Sequence, residues 1–231
     1  PSQMTLQQIV RLLQYADSAL PVGAFAFSCS LETAVEQGVV YDAATLREFV
    51  ETLLRQSAST DGIAALAARR ATLTGDYEAL LTIDARLIRC KLNDEARQMN
   101  RRMGRKLAEL GIQIADDPLL VRWRDDIVAN RTAGTYPTTQ GIIFALGGLD
   151  AQALFAAQQY GVMMTTLNAA LRCLRLTHYH TQRIIAQLAP LVEELYDQVC
   201  ELDTDDMYTF APVIDLLAAL HERGTARMFM N

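Results

Sequence analysis

Between Thr45 and Ala58 the chain reads TLREFVETLLRQSA, and Leu46, Phe49, Val50, Leu53 and Leu54 fall on one stripe at the spacing of an α-helix. The same period recurs along most of the sequence. No segment alternates apolar and polar residues with β-branched enrichment, so no strands are predicted. With 51% apolar and 21% charged residues over 231 positions, the chain has the material for a substantial core. These features predict a single all-α domain of about eight to ten helices, larger than a four-helix bundle.

Local signals place the elements. Thr5 with Gln8 three residues on reads as a capping box, opening a helix whose apolar side is Ile9, Leu12 and Leu13. Asp61 reads as the N-cap of an Ala-rich helix ending near Gly75. Residues 77–93 and 94–110 read as two helices, the second ending at Gly111, with 112–118 as a connector and a short helix around Trp123. At 133–149, AGTYPTTQGIIFALGGL, turn residues give way to a short apolar run whose glycines suit close helix packing. Residues 150–176 and 178–201 form a long pair, with Pro190 predicting a kink or break. DTDD at 203–206 is acidic and expected on the surface. Pro212 suits the first turn of a last helix bearing Val213, Leu216, Leu217 and Leu220.

One segment resists this pattern. ALPVGAFAFSCSLE, residues 19–32, is too apolar for an ordinary surface loop and too punctuated for a helix. Phe25 and Phe27 either anchor a partner or fold back into this chain's core.

Catalytic and metal signatures are missing. The sequence has no GxxxxGK[ST], GxSxG, GxGxxG, HExxH or CxxC. Cys29, Cys90, Cys173 and Cys200 are scattered, which suits reduced, mostly buried thiols in a cytoplasmic protein. His178 and His180 are the one local metal candidate, but side chains two apart on a helix diverge. No apolar run reaches membrane-spanning length, and PSQMTLQQIV lacks the pattern of a signal peptide. The net charge of −6 argues against whole-surface nucleic-acid binding. Residues 97–106, RQMNRRMGRK, still carry five positive charges. Arg97, Arg101 and Arg105 are spaced four apart, Arg102 and Lys106 form an adjacent row, and Met99, Met103 and Leu107 point elsewhere. That face is either solvated or a docking surface for an acidic partner or, with little aromatic interleaving, nucleic acid. The residues thus read as a non-enzymatic helical protein.

Several segments together resemble the UreF family of urease accessory proteins. Leu20, Pro21, Gly23, Phe25, Ser28, Leu31 and Glu32 match that family's N-terminal motif, with Ser30 where it usually has Gly. ARQMNRRMGRKL, TYPTTQGIIFALGG and NAALRCLRLTHYHTQRII follow in order, the last with Arg172, Arg175 and Gln182. At the terminus His221, Glu222, Arg227 and Phe229 keep the family's spacing, with Met228 for Leu, Gly224 for Leu and Asn231 for Ser.

The resemblance implies an all-α homodimer that binds a UreD-type protein (also called UreH) and recruits the GTPase UreG. The assembly loads nickel into the urease apoprotein, at a site where a carbamylated lysine bridges two nickel ions. It implies no catalysis and no tightly held cofactor, nickel being handled by the assembly, and gating or activation of the GTPase is a proposed role. In that frame Phe25 is an aromatic anchor. Glu32 acts on the GTPase or steadies its own helix. Arg172, Arg175 and Arg227 are candidate arginine fingers. The 222–231 tail orders on a partner, Arg227 making charge-assisted bonds and Phe229 filling a pocket. A generic helical regulator working through 97–106 is the alternative.

Overall fold

Helix caps and hydroxyl back-bonds set out most of the architecture. The computed structural model describes residues 4–24 and 30–209. Among them are ten α-helices and no strand. The last predicted helix, at Pro212, lies outside the described residues.

Thr5 and Gln8 form the expected capping box, each side chain accepting from the other's backbone N–H, and open α1 (Leu6–Ala16). The helix nevertheless sits on a different face. Tyr15 is buried and Leu12 packs on the core, while Ile9 is 40% and Leu13 64% exposed. The cause lies at the far end of α8 (Tyr136–Leu146). Gln8 Nε2 donates to Gly148 O at 2.7 Å and Arg11 Nη1 to Gly147 O at 3.2 Å. These carbonyls just beyond a helix C-terminus need donors and favour positive charge, so the polar side of α1 turns toward them.

α2 (Leu31–Glu36) is short and begins after Ser30, which adopts a left-handed backbone at φ 67°. α3 (Ala43–Ser57) is capped by Asp42 and buries its predicted stripe completely. It does not then stop. A π-helical turn (Ala58–Gly62) carries it without a break into α4 (Ile63–Thr74). Asp61 therefore lies inside a continuous rod and is not an N-cap. Ser59 and Thr60 hydroxyls both donate to Gln56 O, at 3.0 and 2.9 Å, supplying bonds that the widened turn displaces. Gly75 closes α4 in the left-handed region, as expected.

α5 (Tyr77–Cys90) and α6 (Asp94–Ala115) follow. α6 runs through Gly111 and ends at the left-handed Asp116, so the predicted connector shrinks to two residues before α7 (Pro118–Val128). α9 (Ala151–Cys173) and α10 (His178–Val199) form the long pair. Pro190 does not break α10. It is exposed, as is Ala186 four residues back, so water can serve the carbonyl that loses its partner.

α8 is the hub. Every residue from 137 to 145 is buried, which is why its sequence shows no amphipathic stripe. It lies between α4 and α6, with α5 outside α4 and α7 outside α6, while α1, α2, α3 and α10 pack on α9. The approach to α4 is close. A Cβ on Gly141 would stand 2.4 Å from Ala65 O, confirming close packing at this glycine. On the other side a Cβ on Gly104 of α6 would stand 1.8 Å from Gly134 O.

Candidate functional site

The corner joining α9 to α10 gathers several of the residues singled out by the sequence. Glu32, in the first turn of α2, is buried at 7% exposure although charged. α2 packs on α9, and Cys173 ends that helix. Burial pushes the Cys173 thiol up to about 11; the Glu32 charge adds to the rise, Arg172 opposes it and Glu36 contributes a little more. Glu32 and Arg172 are thus close enough to act on the same thiol. Arg172, Arg175 and Gln182 are all exposed around the turn from α9 into α10.

At the start of α10 the His180 Nδ1 lies 3.1 Å from Thr177 N and 2.9 Å from Thr177 Oγ1, closing a capping box. His178 is exposed. Among the described residues no group of three or more His, Cys, Asp or Glu could hold a metal ion. Phe25, Phe27, His221, Glu222, Arg227 and Phe229 lie outside the described residues. Cys90, Cys173 and Cys200, expected as reduced and mostly buried thiols, are free and half-buried.

The segment TYPTTQG owes its shape to a residue the sequence reading did not single out. Asp84 of α5 is fully buried. Its carboxylate accepts from Thr132 Oγ1 at 2.6 Å, Gly134 N at 2.7 Å, Thr135 N at 2.8 Å and Thr135 Oγ1 at 2.6 Å. Four donors on one carboxylate lock the turn that launches α8. The signal available in the sequence was a lone Asp on the apolar stripe of Leu80, Ile83 and Leu87.

Beside it, the Tyr77 hydroxyl donates to Asp126 Oδ2 at 2.6 Å, Arg131 Nε donates to Asp126 Oδ1 at 2.7 Å, and the Arg122 guanidinium stacks 3.5 Å over the Tyr77 ring. Burial works to raise the Asp126 pKa, but the Tyr77 and Arg131 hydrogen bonds outweigh it and hold the carboxyl below its usual range. This cluster ties α5 to α7 and leaves no group free for acid–base work.

The basic face of α6 is largely answered by its own helix. Arg97 Nη2 sits 2.6 Å from Asp94 Oδ1, Arg105 Nε 3.0 Å from Glu109 Oε1 and Lys106 Nζ 3.2 Å from Glu109 Oε2. Arg101 and Arg102 remain exposed, and Met103 and Leu107 point inward as expected. Pairing within the helix weakens the field that a nucleic-acid or acidic partner would need.

After α10 the chain is strapped back across α4 and α5. Arg70 donates to Leu202 O at 2.8 Å, Arg86 Nη1 to Thr204 Oγ1 at 2.9 Å and Ser59 Oγ to Tyr208 O at 2.8 Å. Of the DTDD run, Asp203, Asp205 and Asp206 are exposed as expected, but Thr204 is buried. The strap fixes residues 202–208 against the helical body.

A UreF family model matches residues 40–189. Over the full chain, the sequence is 45% identical to a urease accessory protein UreF 2 from Brucella canis, covering 95% of that protein. It is 45% identical to a urease accessory protein UreF 1 from Brucella melitensis over the same shares. With a urease accessory protein UreF from Yersinia pseudotuberculosis it shares 42% identity over 99% of this chain and all of that one. On a family match spanning most of the chain and end-to-end identity above 40%, the chain belongs to the UreF family of urease accessory proteins.

Proposed function

We propose that this protein is a non-catalytic helical scaffold for nickel insertion into urease. In this reading it binds a UreD/UreH-type protein, and the pair recruits a UreG-type GTPase to the urease apoprotein. It works in the cytoplasm as a homodimer and modulates the GTPase, and nickel is handled by the assembly without a tight site on this chain. The observation that carries the reading is the end-to-end similarity to urease accessory proteins. The structure supports it in two ways. The exposed Arg172 stands near the buried Glu32 around Cys173, and Arg175 is exposed in the turn that follows, within reach of a partner. The Arg70, Arg86 and Ser59 contacts hold residues 202–208 against the helical body, ahead in sequence of the stretch that carries Arg227 and Phe229.

The test is co-purification with UreD- and UreG-type partners. Deleting residues 222–231 is expected to abolish recruitment of the GTPase while the far-ultraviolet circular dichroism of the chain is retained. Replacing Arg172 and Arg175 by Ala should lower GTP hydrolysis in the reconstituted complex without dispersing it. Full recruitment by the truncated chain would overturn the role given to the tail.

A further inference from the structure

Beneath residues 20–24 lies a cavity of about 120 Å³. Leu20, Val22, Met99, Met103, Val162 and Met164 form its apolar wall. Methionine walls are deformable and suit an inserted side chain of irregular shape. The cavity is somewhat smaller than the void of about 150 Å³ that accepts benzene, which is the scale of one planar side-chain head.

The polar part of the lining is one-sided. It contains two carboxylates, Asp17 and Asp61, and among the described residues no Lys, Arg or His. Lys91, from outside the lining, pairs with Asp61 Oδ1 at 2.5 Å. Asp17 is exposed, and its Oδ1 accepts only the local Ala19 N–H at 2.8 Å. Gln140, also in the lining, is 3% exposed, and among the described residues no donor reaches its Oε1. A buried oxygen left in that state costs about 1–3 kcal/mol, so an entering donor gains by satisfying it.

A second observation concerns the cavity's rim. Gly161 lies in the middle of α9, where glycine costs about 1 kcal/mol relative to alanine. Gly104, Gly111 and Gly141 have neighbours that would clash with a Cβ, but a Cβ on Gly161 would meet nothing within 4 Å. Packing among the described residues gives that glycine no purpose, whereas the backbone of another molecule crossing the rim does.

We propose that this cavity receives an arginine side chain from a partner protein, its stem along the methionines, its guanidinium donating to Gln140 Oε1 and its backbone passing over Gly161. Arginine fits better than lysine because its planar, weakly hydrated head tolerates removal from water. Asp17 supplies attraction at the entrance. The inference rests on this geometry alone and stands or falls separately from the urease reading.

The probe is N-acetyl-arginine amide, titrated into the full chain carrying 13C-methyl methionine. Saturable shifts confined to the Met99, Met103 and Met164 methyls are expected, with Gly161→Leu abolishing them. Gln140→Met keeps the shape but removes the orphan oxygen, so it should weaken the probe tenfold or more while Tm holds or rises. A fall in Tm of several degrees for Gln140→Met would show that Oε1 has a structural partner and overturn the proposal. Equal shifts with 1-pentanol would mean an apolar void only, and equal shifts with N-acetyl-lysine amide would remove the arginine assignment. Absence of shifts at the three methyls sinks it outright.

Discussion

Ser30 and Asp84 show how much one residue can decide. Ser30 holds a left-handed backbone, the region that glycine enters without steric cost. A side chain in that region costs about 1 kcal/mol relative to glycine, so Ser30→Gly is expected to raise unfolding free energy by about 1 kcal/mol in a denaturant titration. No change or a loss would mean that the Ser30 hydroxyl compensates. Asp84→Ala should act in the opposite sense. It leaves the amides of Gly134 and Thr135 buried without their acceptor, and a loss of about 3 kcal/mol or more is expected from the same titration. Neither residue is read easily from sequence. The backbone angle at Ser30 follows from how α2 must meet α9, and the donors that Asp84 serves lie about fifty positions further on.

At the level of elements, what was legible depended on whether the cause was local. The Thr5–Gln8 box, the α3 stripe and the Gly75 terminus are set by residues within one or two turns, and all appear as read. Two of the misreadings have a distant cause, and the third, at Asp61, a local one. Ile9 and Leu13 face outward because α1 serves carbonyls 136–140 positions away. Gly111 does not stop α6 because it is a packing glycine, where a Cβ would stand 2.8 Å from Ile143 Cδ1. Asp61 does not start a helix because the hydroxyls of Ser59 and Thr60 let the rod run on. Two glycines in long helices should therefore respond oppositely to alanine. Gly104→Ala, driven against the Gly134 carbonyl, should cost about 2 kcal/mol or more, while Gly161→Ala should gain about 0.5–1 kcal/mol. Paired thermal melts of the two variants decide this, and a loss at Gly161 would show an internal role for that glycine. The candidate corner was half legible. Glu32 and Arg172 were named from motif resemblance, but that they converge on Cys173 follows only from how α2 lies on α9.

For the whole molecule, the raised thiol and phenol give stability a pH dependence. Cys173 moves from 9.0 to about 11, chiefly by burial, and burial moves Tyr136 from 10.0 to about 12. In both cases the folded state favours the protonated form. Their contribution is complete below the unfolded values and is lost as pH climbs through the folded ones. Tm should therefore decline between about pH 9 and 11, and Cys173→Ala should flatten that decline; an unchanged slope would exclude the thiol as a cause. The hub helix carries a further consequence. α8 is launched by a residue of α5 and finished by side chains of α1, the latter across 140 positions. A ribosome makes about 5–20 residues each second, so α1 leaves the exit tunnel roughly ten seconds before its docking site exists. Through that interval Leu12 and Tyr15, side chains that α1 contributes to the core, have no core to join, and they stay in water until α8 and α9 are made.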